Sequence, residues 1–186
     1  VSEAAPGDAR RGDGGAPAAG DAPAAGDALA AGDVRLTVWV DADSCPVPVR
    51  EILNRAAPRR GFDLIYCANR TIRGLNAPTE RRRLLVITEE SVDEYLRRHV
   101  AAGRALLITR DIPLAERILA EGVSVMNDRG EIFDRATIAE RRSIRDAAEK
   151  IRAAGLETMP QRSGFGEREK KAFADALDRY VTSVLK

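Results

Sequence analysis

The chain has 186 residues, 44% hydrophobic and only 4% aromatic, with 30 basic against 29 acidic side chains and a net charge of +1. That length fits one domain with an appendage and argues against two full domains. Near-neutrality excludes recognition of nucleic acid or membrane by bulk charge alone.

Residues 1–33 form a low-complexity tail of 12 Ala, 7 Gly and 3 Pro. A short repeat runs through it, as in Gly20-Asp21-Ala22-Pro23-Ala24-Ala25 followed by Gly26-Asp27-Ala28-Leu29-Ala30-Ala31. Such a segment cannot bury enough surface to offset its ordering entropy and is expected to be disordered. Its six acids and two arginines fit neither a secretory signal nor a transit peptide. No apolar run approaches the ~20 residues of a membrane span. A soluble cytoplasmic protein is expected, with Cys45 and Cys67 as free thiols.

The remainder, 34–186, reads as one α/β domain. Arg35–Val40 is a β-rich run ending at Asp41, and Val47–Arg59 is a helix with prolines at its start, where a missing N–H costs little. Asp63–Ala68 is the second strand and Arg83–Thr88 the third. Ser91 caps a helix to about Ala101, with Glu94 at the capping-box position. Ala105–Thr109 is the fourth strand, Ile112–Glu121 a helix, and Val123–Met126 the fifth strand. Two amphipathic helices, about Ile138–Ala154 and Glu167–Leu185, finish the chain. The strands are continuous apolar runs separated mostly by helices. That pattern predicts a three-layer fold around a mostly parallel sheet.

Acids follow the strands. Asp41 and Asp43 follow the first, Glu89 and Glu90 the third with Asp93 one turn later, and Asp111 the fourth. Ligands of open α/β sheets bind outside the carboxyl ends of the strands. Carboxylates gathered there repel one another unless a cation compensates them. A hard divalent ion, Mg²⁺ or Mn²⁺, is the expected compensator, and it suits phosphoryl displacement. Each acid taken singly also reads as an ordinary helix N-cap.

The residues Val40-Asp41-Ala42-Asp43-Ser44-Cys45-Pro46-Val47 resemble the V-D-A-D-A-C-P-V opening of the YaiI/YqxD family of bacterial proteins. Ala68-Asn69-Arg70, Glu90-Ser91-Val92-Asp93, Ile108-Thr109-Arg110-Asp111-Ile112-Pro113-Leu114-Ala115, Arg129-Gly130-Glu131 and Ile144-Arg145-Asp146 match further motifs of that family in order. Departures are Glu90 for Asp, Val92 for Ala, Arg110 for a small residue, and no Gly-rich segment around Met159-Pro160-Gln161. The resemblance implies a PIN-like α/β fold, a class that includes metal-dependent ribonucleases. By that analogy Asp41, Asp43, Asp93 and Asp111 are catalytic and bind Mg²⁺ or Mn²⁺ with Glu90 assisting, and RNA is the expected partner.

Arginine is abundant. Arg70 and Arg73 follow the second strand on the acidic edge and are candidate phosphate ligands. Arg81-Arg82-Arg83 reads as a solvated turn at the opposite edge. Arg145 shares a helix face with Arg141 and Arg152, which can meet a nucleic-acid backbone or pair with Glu140 or Glu149. Cys45 and Trp39 are expected in the core and His99 at or near the surface.

Two other functions fit parts of the pattern. Asp41-Ala42-Asp43-Ser44 after an apolar strand resembles the D-x-D signature of haloacid-dehalogenase-type phosphatases, with Asp41 as nucleophile. The required cation is hard to find, because no Lys occurs between Val34 and Glu149. A non-catalytic RNA- or protein-binding module is the other reading. Charge bears on all three. The tail carries −4, so the whole-chain +1 leaves +5 on the remainder, a mildly basic body with an acidic sheet edge.

Overall fold

A computed structural model describes residues 35–75, 77–101, 103–155 and 165–186. The repeat tail and the Met159–Gln161 segment lie outside them. The elements are β1 (Thr37–Asp41), α1 (Val47–Arg60), β2 (Asp63–Ala68), β3 (Arg82–Val86), α2 (Val92–His99), β4 (Ala105–Ile108), α3 (Ile112–Ala120), β5 (Ser124–Met126), α4 (Arg135–Ala153) and α5 (Glu167–Val184). Every strand pairing is parallel, and the sheet order is β3-β2-β1-β4-β5. The expected α/β architecture with a parallel sheet is present.

The period of two along each strand divides the core. Val38, Val40, Leu64, Tyr66, Leu106 and Ile108 face a layer closed by α1 and α5 through Val49, Leu53, Phe173 and Leu177. Trp39, Ile65, Cys67, Leu107 and Val125 face the other layer, closed by Leu96 of α2, Leu114 and Ile118 of α3 and Ile138 of α4. Burial on both faces is why these strands read as unbroken apolar runs. Each fully buried leucine or phenylalanine contributes roughly 1.5–3 kcal/mol to that core.

Several boundaries differ from the sequence reading. Helix α2 stops at His99 because Val100 turns its apolar side chain into the core, 3% exposed. Its Ser91 cap is as expected, with Oγ accepting from Glu94 N at 3.2 Å, but the Glu94 carboxylate pairs with Arg97 rather than closing the box. Helix α4 starts three residues early because Asp134 caps it, accepting from Thr137 N at 2.7 Å. Of the arginine triplet only Arg81 lies in the turn. Arg82 and Arg83 lie in β3, in register with Leu64 and Ile65, and Arg81 pairs with Asp63 at 3.5 Å. As an edge strand, β3 is only partly covered, so charged residues are tolerated there.

A close approach fixes the last helix. Gly130 has φ +81°, and an added Cβ would lie 2.7 Å from Ala176 Cβ and 2.8 Å from Ala172 O on α5. The loop after β5 is drawn tight by Asn127, whose Oδ1 accepts from Arg129 N (2.9 Å) and Glu131 N (3.0 Å). The same loop carries Asp128 toward the strand ends.

Candidate functional site

The sheet order reverses between β1 and β4, so the crossovers leaving these two neighbours run to opposite faces. A crevice forms at the carboxyl ends of such a pair. Asp41 is the last residue of β1, and Asp111 caps α3 three residues after β4.

Asp41 is buried, 6% exposed. Its Oδ2 accepts from Ser44 Oγ at 2.6 Å and from Thr109 Oγ1 at 2.9 Å. A buried carboxylate needs such donors. Thr109 also accepts from Asp111 N at 3.0 Å, and Asp111 Oδ1 accepts from Leu114 N at 2.9 Å. One buried threonine therefore ties the two acids together, and each is locked by its own backbone element. Sequence reasoning placed Thr109 only at the end of the fourth strand and within a family motif, and missed its positioning role. The position two before Asp111 was the available signal.

Asp93 joins from the first turn of α2. Burial raises its carboxyl above the ordinary value, the charges of Asp111 and Asp41 raise it further, and Arg117 at 3.3 Å opposes them. Asp41, Asp93 and Asp111 thus share one electrostatic neighbourhood.

The other candidates stand apart. Asp43 accepts from Asn69 N at 2.8 Å and lies 3.7 Å from Arg70 Nε, on the β2 side of the crevice. Glu90 is bound to Arg98. Arg70 and Arg73 line a cavity with Asp43, whereas Arg145 lines a separate one between α3 and α4 beside Arg117 and Arg142. Arg141 pairs with Glu131 at 2.7 Å, and neither Glu140 nor Glu149 is its partner. Arg110 turns to Asp128, Nε to Oδ2 3.5 Å.

Among the described residues no three His, Cys, Asp or Glu side chains form a group able to hold a metal ion. An enclosed all-protein cage is therefore absent from them. Mg²⁺ does not require one, because it binds through one or two carboxylates and keeps several waters or phosphate oxygens. Two hydroxyl donors occupy Asp41 Oδ2 and leave Oδ1, and the Leu114 N–H occupies Asp111 Oδ1 and leaves Oδ2. That donor set fits an open, hydrated ion.

Burial disfavours the thiolate form of both cysteines at neutral pH. Cys45 is 7% exposed, and burial, with Asp128 and Asp41 adding to it against Arg50, pushes the thiol up to about 12. Burial likewise raises Cys67. His99 is half-buried and stacks on Tyr95 with centroids 3.9 Å apart. No described helix is long and apolar enough to cross a membrane.

Residues 39–183 match the family model described as "Uncharacterized BCR, YaiI/YqxD family". The chain is 38% identical over 157 residues to a UPF0178 protein of Psychromonas ingrahamii, covering 81% of this chain and 99% of that one. It is 40% identical to UPF0178 proteins of Halorhodospira halophila, over 78% of this chain and 95% of that one, and of Treponema pallidum, over 81% and 84%. No solved structure matches. The matched span contains the whole sheet but its first two residues, the strand-end acids and Thr109, and on that evidence the chain belongs to the YaiI/YqxD family.

Proposed function

We propose that the chain is a cytoplasmic, divalent-metal-dependent phosphodiesterase acting on RNA at the β1/β4 crevice. One observation carries this reading. Asp41 ends β1 and Asp111 caps α3 just after the adjacent β4, at the sheet's reversal point; Thr109 joins them, and both charges bear on Asp93. Three acids in one neighbourhood are relieved by a cation. Asp41 and Asp111 would hold Mg²⁺ or Mn²⁺, with Asp93 as an outer ligand through water. The ion would supply polarisation of a phosphoryl oxygen and an activated water. Ser44 and Thr109 hold the Asp41 carboxylate in one orientation, and the α3 N-terminus holds Asp111, so little reorganisation is needed on binding. The +5 body suits a phosphate-bearing substrate. Residues 1–33 are an appendage in this reading.

A phosphatase using Asp41 as nucleophile is the rival reading, favoured only by the Thr109–Asp41 bond. It lacks a lysine partner, because the first lysine is Lys150 near the end of α4. The test is thermal melting with Mn²⁺ beside a cleavage screen over RNA, DNA and small phosphoesters. Mn²⁺ should raise the Tm, and Asp111→Asn should abolish the shift while keeping the helix cap, since Asn caps as well as Asp. No shift with Mg²⁺ or Mn²⁺, and no metal-dependent cleavage, sinks the reading. A beryllium fluoride adduct at Asp41 would favour the phosphatase. RNA retention that survives loss of both Asp41 and Asp43, without cleavage, would favour a binding module.

A further inference from the structure

Beside the crevice, on the far side of Asp43, lies a cavity of about 350 Å³ lined by Asp43, Arg50, Arg70, Thr71 and Arg73 with Ala42, Cys45 and Ile72. That volume is at the small end of ligand pockets. Its polar lining is unusual in charge: three arginines face one aspartate.

The arginines come from two elements. Arg50 sits in the opening turns of α1, and Arg70 and Arg73 follow β2. Arg50 Nε is buried and has no hydrogen-bond partner among the described residues. A buried guanidinium nitrogen without an acceptor carries the desolvation cost of that group, so Arg50 brings an incompletely compensated cation to the cavity lining. Asp43 does not supply the acceptor, because its carboxylate is engaged by Asn69 N and lies toward Arg70. Arg70 is 79% exposed on its side chain, and Arg73 is exposed, so both heads are available to an incoming anion. The helix start adds a favourable field, because Pro46 caps α1 without any side-chain acceptor and no acid lies in the first turn.

The geometry points to a binding site for a terminal phosphate monoester formed by Arg50, Arg70 and Arg73 at the start of α1. A monoester carries close to two negative charges at pH 7, whereas an internal phosphodiester carries one. Three arginines less Asp43 leave a surplus of two positive charges, which matches the monoester. Arginine forks also match the three free oxygens of a monoester better than the two of a diester. The role of this pocket in turnover rests on the phosphodiesterase reading: a chain end seated here places the following linkage toward Asp41, across Asp43. Anion binding itself does not depend on that reading.

The experiment is calorimetric titration of the full chain with inorganic phosphate, a nucleoside 5′-monophosphate, and one RNA oligonucleotide carrying either a 5′-phosphate or a 5′-hydroxyl. Phosphate should bind saturably, and Arg73→Gln and Arg50→Gln should each weaken it about tenfold or more, as expected for losing one charged hydrogen-bonding group. The phosphorylated oligonucleotide should bind more tightly than its hydroxyl form by a similar factor. Tighter binding of the monophosphate than of the oligonucleotide would identify a small phosphoester as the source of the same group. Arg73 is exposed, so its variant should fold even if that of Arg50 does not. The proposal is overturned if phosphate shows no saturable binding, if Arg73→Gln binds like the parent, or if neither the nucleoside monophosphate nor the 5′-phosphorylated oligonucleotide binds more tightly than the 5′-hydroxyl oligonucleotide. Mn²⁺ melting separates the two ideas. Phosphate binding without an Mn²⁺ shift or cleavage sinks the phosphodiesterase and keeps the anion site, and the reverse pattern removes the anion site alone.

Discussion

Replacing Gly130 with alanine should cost the fold about 2–5 kcal/mol. Two effects add. A left-handed backbone costs an L-residue roughly 1–2 kcal/mol, and Gly130 sits at φ +81°. The new Cβ would meet Ala176 Cβ at 2.7 Å, Ala172 O at 2.8 Å and Phe173 Cα at 3.0 Å. Two of those atoms belong to the α5 backbone and cannot swing aside, so overpacking adds roughly 1–3 kcal/mol. For a domain of this size the sum lowers the Tm by about 5–15 °C. The internal control is Gly61→Ala. Gly61 has φ +78° with nothing within 4 Å of the added carbon, so it reports the backbone effect alone, about 1–2 kcal/mol. Urea unfolding of both variants checks the difference. Equal losses at the two positions would refute the packing argument and with it the claim that the β5–α4 loop is pinned on α5. The consequence reaches the site, because that loop carries Asp128, which pairs with Arg110, the neighbour of Asp111 in the chain.

Thr109→Val removes a donor to Asp41 and an acceptor for Asp111 N at a nearly identical shape, and should lower stability by about 1–3 kcal/mol, measured by urea unfolding, with Thr109→Ser restoring most of it. An unchanged midpoint would show that the threonine does not hold the acids. Cys45 makes a pH prediction. Its thiol moves from 9.0 to about 12 in the fold, so the unfolded chain loses that proton first, and stability falls as pH rises from about 9 toward 12. Cys45→Ser should flatten that slope, and iodoacetamide at neutral pH should label neither cysteine in the folded protein. Rapid labelling of Cys45 would contradict its burial. Glu90→Gln should leave any Mn²⁺ melting shift intact, because Arg98 already occupies the carboxylate; loss of the shift would return Glu90 to the ligand set.

Much of the fold was legible along the chain. Unbroken apolar strands such as Ala105–Ile108 announced a sheet covered on both faces, and Ser91, Asp111 and the prolines of α1 marked helix ends through short-range chemistry. The strand-end acids and the family motifs were equally visible, because both are written in local order. Arg82 was left out of the third strand because an edge strand tolerates charge that a central strand would not, and strand order is not a local property. Pairings decided only by tertiary structure include Arg110 with Asp128, Glu90 with Arg98, and Arg141 with Glu131, each across loops or turns where many partners were equally near in sequence. The sequence by itself determined which acids reach the carboxyl edge. Placing β4 beside β1 determined which of them meet: Asp41 and Asp111 are far apart in the chain and joined through one buried threonine, while Asp43 turns instead toward the arginines.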